Sequence, residues 1–161
     1  GLVMVAVDIQ EAGPAHCDQE GQVVGLQIAA GQDQVTVGGL RILGLGGSPL
    51  YSGGPHQYTE RQMAWRIRRL RFQLWRAKGV DIVVTHSPAK GYGDGEDYAH
   101  RGFECLLPLL DKYRPKYLVH GHVHMSYGAD LPRVHQRGET TIINAYERYI
   151  LEIPDKAPGK A

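Results

Sequence analysis

At 161 residues, 42% hydrophobic and 22% charged, the chain has the size and composition of one globular domain able to bury a core. A formal net charge of +1 and a pI near 8.0 exclude general attraction to nucleic acid or anionic membrane, so any such binding must be local. No apolar run approaches the ~20 residues of a membrane-spanning helix. Two cysteines, Cys17 and Cys105, make neither a disulfide framework nor a cysteine-based zinc site.

Gly1 to Asp8 reads as a strand, too short for a signal-peptide core and with no basic segment before it, so a reducing, cytoplasmic setting is expected. Gln10 to Gln22 is polar and irregular, and Val23 to Ala30 and Gln34 to Val37 read as short strands. Gly38 and Gly39 between Val35-Thr36-Val37 and Leu40 to Leu43 mark a hairpin, with a buried strand continuing to Leu45. The glycine-rich Gly44 to Pro55 lacks a complete phosphate-binding pattern and reads as a structural connection, contributing to a site rim with Tyr51, His56 and Tyr58.

Thr59 and Gln62 form a capping box opening a helix expected to reach Lys78 and stop at Gly79, with Met63, Ile67, Leu70 and Leu74 on its core face. Arg61, Arg66, Arg68, Arg69, Arg71 and Arg76 occupy much of the remainder. Two readings compete: arginines on nucleic-acid phosphates with Trp65 or Trp75 stacking on bases, or a solvated face whose arginines pair with acidic neighbours while the tryptophans pack inward. Near-zero total charge favours the second.

Val80 to Val84 is a β-branched run that stops at Thr85-His86-Ser87-Pro88. Gly91 to Asp97 is a glycine-rich loop carrying Asp94, Glu96 and Asp97, and His100 stands just before a helix expected over Gly102 to Tyr113, irregular at Pro108. A second apolar strand then ends in Gly121-His122-Val123-His124. Thr140 to Asn144 and Tyr149 to Ile153 read as final strands, antiparallel neighbours, so that 1–153 forms a single domain and 154–161 a mobile tail. Imidazole is the commonest metal-binding side chain, and ligands gather beyond the carboxyl ends of strands in open α/β sheets, where His86, His122 and His124 can converge.

Thr85-His86-Ser87-Pro88 and Gly121-His122-Val123-His124, together with Asp97 to Gly102 and the helix up to Arg114-Pro115-Lys116, resemble the calcineurin-like metallophosphoesterases from about Val35 to Glu152. The resemblance implies an α/β fold, a layered β-sheet sandwich flanked by helices and here incomplete. It implies metal-dependent hydrolysis of a phosphomonoester or phosphodiester at two divalent ions, Mn, Fe or Zn suiting imidazole ligands. His86 and His122 then hold one ion and His124 the other. Apart from the resemblance, His100 reads either as a catalytic, substrate or ligand-orienting contact or as a plain helix-start residue. The family's amino-terminal Asp-X-His, Gly-Asp and Gly-Asn-His motifs are not found. Their ligands are either lost, supplied by a second chain, or replaced by Asp8, Asp18 or the Asp94 to Asp97 cluster. The rival function is an inactive domain of this fold that binds a partner protein or nucleic acid through the arginine helix, with no membrane role.

Overall fold

The computed structural model describes residues 2–7, 32–124, 132–146 and 149–154. The expected strand over Val23 to Ala30, the tail beyond Pro154, and Asp8 and Asp18 lie outside them. A six-stranded mixed sheet forms the middle layer: β2 (Gln32–Val37), β3 (Leu40–Leu45), β6 (Ile82–Thr85), β7 (Tyr117–His120), β9 (Thr140–Asn144) and β8 (Val134–Arg137), in that spatial order. Its four inner strands are parallel, and β2 and β8 are antiparallel edges. β1 (Leu2–Val7) pairs antiparallel with β10 (Tyr149–Pro154) as a separate ribbon, and β4 (Ser48–Pro49) pairs with β5 (Gln57–Tyr58).

Register across the parallel strands is set by one row of side chains. Leu43 faces Val83, Val83 faces Leu118, and Leu118 faces Ile142, and all four are fully buried. Against this row pack α1 (Glu60–Arg69), α2 (Arg71–Arg76) and α3 (Leu106–Tyr113) through Met63, Leu70, Leu74, Leu106 and Leu110. The opposite face buries Leu40, Ile42, Ile82, Val84 and Val119 against Ile153 of the ribbon, with Tyr149 and Leu151 alongside. The expected layered α/β arrangement is therefore present.

Local chemistry explains most element ends. The hairpin turns through Gly38 and Gly39 at φ 54° and 75°, a conformation that glycine adopts without strain. The Thr59 hydroxyl accepts from the Gln62 amide while the Gln62 side chain accepts from the Thr59 amide, closing the capping box. At the amino ends of the strands, Arg41 grips Asp81 through Nε and Nη2 at 2.9 Å each, and also donates to the Ala77 and Lys78 carbonyls.

Several expectations are corrected. The long helix breaks at Leu70, whose amide bonds the Ile67 carbonyl in a tight turn before α2 begins. Pro108 causes no irregularity because the last helix starts at Leu106, placing the proline in a first turn whose amides need no intrahelical acceptor. β9 and β10 are not neighbours: one lies inside the main sheet and the other pairs with β1. Trp65 and Trp75 do not pack inward but stand 58% and 73% exposed. In the glycine-rich loop, the Gln57 side-chain oxygen accepts from the amides of Tyr51, Ser52, Gly53 and Gly54, so those amides cradle the chain's own carbonyl.

Leu118→Ala, at the centre of the buried row, is expected to cost about 2 to 5 kcal/mol in urea unfolding, against less than about 0.5 kcal/mol for Ile150→Ala on the exposed ribbon edge.

Candidate metal centre

The last register pairs of the parallel strands are Leu45 with Thr85 and His120 with Asn144, and all four residues are buried. Beyond it the ladder continues by two further bonds: the Gly121 amide donates to the His86 carbonyl (3.0 Å) and the Ala145 amide to the His120 carbonyl (2.7 Å). The loops carrying His86, His122 and Tyr146 thus leave the sheet at one level.

His122 occupies a left-handed conformation, φ 65°, between Gly121 and Val123. The Val123 amide reaches back to the Gly121 carbonyl at 2.7 Å, closing a three-residue turn around a positive-φ centre, the rarer and more strained γ-turn. Strain of this kind costs on the order of 1 to 3 kcal/mol and persists only where the surroundings over-determine it. Buried Asn144 supplies one such constraint, donating to the Val123 carbonyl (3.0 Å) and accepting from the Tyr146 amide (2.9 Å).

The turn presses His122 against His86, with His86 Nε2 and His122 Nδ1 3.0 Å apart. His122 Nε2 donates its proton to the Ala99 carbonyl at 2.6 Å, which leaves the lone pair on Nδ1, the nitrogen facing His86. Burial, then the neighbouring His122, holds His86 down to about 4; burial likewise lowers His122, with the Ala99 bond opposing it and His100 and His124 adding to it. Both rings are therefore neutral near pH 7.

This donor set fits two adjacent positions on one divalent ion. Nitrogens about 2.1 Å from a common ion and 90° to 109° apart lie roughly 3.0 to 3.4 Å from each other, and a ligating imidazole characteristically donates its other N–H to a carbonyl. Among the described residues, no three His, Cys, Asp or Glu side chains meet in metal-binding geometry, so the pair covers part of a coordination shell.

The remaining candidates are distributed around the pair. His124 stacks on Tyr146, ring centroids 4.4 Å apart, and among the described residues it does not complete a three-residue metal-binding group with His86 and His122. His100 lies 5.2 Å from His122 and 6.3 Å from His124 between ring centroids, and its Nδ1 donates to both Asp97 oxygens at 2.9 Å. Asp97 also accepts from the Ala99 and His100 amides, and Asp94 from those of Gly91 and Gly102. These carboxylates brace the loop.

Gly102 closes that loop onto the sheet. A Cβ there would lie 2.5 Å from the Ala89 carbonyl carbon, and the glycine lets Phe103 bridge to the Pro88 carbonyl and the Lys90 amide. Sequence reasoning missed two members of the site. Asn144 was legible only as a polar residue ending an apolar strand, and Tyr146 carried no signal at all.

A family model described as calcineurin-like phosphoesterase matches residues 18–126. Metallophosphoesterase domain-containing protein 1 of Homo sapiens is 30% identical over 117 residues, covering 70% of this chain and 32% of that protein. One UPF0046 protein of Caenorhabditis elegans is 27% identical over 139 residues, 84% of this chain and 43% of its own length, and another is 35% identical over 97 residues, 50% and 32%. A solved crystal structure has the same fold, with a TM-score of 0.51 at 16% identity over 79% of this chain and 53% of that one. The chain spans less than half the length of these curated relatives.

One prediction follows from burial. His120 is fully enclosed, its Nε2 has no partner among the described residues, and burial pushes it down to about 4. The unfolded chain binds this proton below about 6.5, so between there and about 4 the unfolded state holds more protons and acid favours unfolding. Stability should be fullest above about pH 6.5 and fall by on the order of 3 kcal/mol as pH drops to about 4. Metal-free urea titrations across that range measure the slope, which His120→Gln should flatten.

Proposed function

This chain belongs to the calcineurin-like phosphoesterases, and we propose that it carries part of the active site of a metal-dependent phosphoesterase hydrolysing a phosphomonoester or phosphodiester. The observation that carries the reading is the His86–His122 pair: neutral rings, nitrogens 3.0 Å apart, and a His122 tautomer fixed by Ala99 with its lone pair toward the partner. In this reading His86 Nε2 and His122 Nδ1 hold one divalent ion, and His124 serves a second. Bound divalent ions supply Lewis-acid neutralisation of phosphate charge for an in-line displacement at phosphorus.

In this reading the remaining ligands come from another part of the polypeptide or from a partner subunit. His100 is the proposed proton carrier. Asp97 fixes its Nδ1, so the opposite nitrogen is the one that takes up a proton and, in the imidazolium form, passes it to the leaving oxygen. The family match favours this function over an inactive domain of the same fold.

The test is Mn²⁺-dependent hydrolysis of an aryl phosphodiester by the folded chain. His122→Ala should abolish both activity and tight Mn²⁺ binding by calorimetry, while His100→Gln should lower kcat by roughly 10²- to 10⁴-fold with Mn²⁺ binding retained. Mn²⁺ binding unchanged by His122→Ala would remove the assignment.

A further inference from the structure

The outer face of α1 and α2 is used by neither the core nor the histidine cluster. Trp65, Phe72 and Trp75 are 58%, 63% and 73% exposed on it. Large aromatics scattered singly over a surface need no explanation, but three within eleven residues of one helical face form a patch of the kind that marks an interaction site. Phe72 and Trp75 lie against each other with centroids 5.8 Å apart, and the Arg69 guanidinium sits 5.0 Å above the Trp65 ring.

The same face is cationic. No Asp or Glu occurs from Arg61 to Val80. Among the described residues no carboxylate pairs with Arg61, Arg68, Arg69, Arg71 or Arg76. Glu60, at the start of α1, is committed to the amides of Glu104 and Cys105. The patch continues past α2 into a cavity of about 590 Å³ walled by Arg71, Phe72, Trp75, Lys78, Lys112 and Tyr113, with no carboxylate in its lining.

We propose that this face binds single-stranded nucleic acid, bases stacking on Phe72, Trp75 and Trp65 and phosphates bonding the arginines. Three features select that partner. Rings and guanidinium groups are interspersed on one face, so a strand laid along it meets both stacking surfaces and phosphate partners; insertion into a bilayer needs them segregated into an apolar and a basic side. The cations of the helices are all arginine, whose planar fork matches phosphate oxygens. Exposed rings stack on bases only where those are not already paired in a duplex, which selects the single strand. With a net charge of +1 for the whole chain, binding depends on this local cluster.

Trp65 and Trp75 are the two tryptophans of the chain, so intrinsic fluorescence reads this face directly. The experiment is titration with oligothymidine and oligouridine of about 20 nucleotides, longer than the ~4 to 16 nucleotides that one small domain covers. Quenching should saturate, and affinity should fall with salt at a log–log slope of about −0.7 per phosphate contact. Trp75→Ala with Phe72→Ala should weaken binding roughly 10- to 100-fold, and Arg68→Gln with Arg71→Gln should reduce the salt slope by about 1.4. All four positions are solvent-exposed, and an unchanged thermal melt establishes that the variants are folded.

A preference for thymidine or uridine identifies DNA or RNA as the partner, and equal binding assigns recognition to base and phosphate alone. The proposal is overturned if neither oligonucleotide quenches, if the aromatic substitutions leave affinity unchanged, if inorganic polyphosphate binds as tightly as the oligonucleotides, or if phosphatidylserine vesicles bind where the oligonucleotides do not.

Discussion

The register that sets Leu43, Val83, Leu118 and Ile142 side by side across four parallel strands is the constraint on which the rest depends. A slip of one residue in any strand would turn its buried side chains to the other face. The helices enforce the register by covering that row on one side, and the β1–β10 ribbon covers the alternate residues on the other. Because the strands are held level, their carboxyl ends release three loops at one height. The meeting of His86, thirty-six positions away in sequence, with His122 is a consequence of that alignment.

The histidine loop adds a second layer of determination. A left-handed His122 is unfavourable for a residue with a side chain, yet the Gly121–Val123 turn, the Ala99 carbonyl and the Asn144 amide each act on it or on its neighbours. The same enclosure that positions the rings removes them from water and disfavours their protonated forms. Geometry, tautomer and charge state are thus set by one local environment, and all three suit a nitrogen ligand.

Much of this was legible in the sequence where a local rule had no competitor. The Gly38-Gly39 hairpin, the Thr59 capping box and the two strands ending in histidine each rest on backbone chemistry within a few residues. The sequence was less informative where tertiary context decides. The edge strand β8 is polar and half-exposed, and so lacks an apolar alternation. The partner of β10 is fixed by the ribbon's packing rather than by anything in Tyr149 to Ile153. The inward packing expected of the tryptophans fails because composition identifies which residues are amphipathic but not whether the core reaches them, and Trp65 and Trp75 stay more than half exposed.

The central claim is that His122 presents Nδ1 and His86 presents Nε2 to one divalent ion. Long-range ¹H–¹⁵N correlation of the imidazole nitrogens in the folded chain, before and after Zn²⁺, tests it most directly. The account predicts an Nε2–H tautomer for His122 without metal, followed on Zn²⁺ addition by shifts of His122 Nδ1 and His86 Nε2 together. An Nδ1–H tautomer for His122, or Zn²⁺ shifts that bypass this pair, would contradict it.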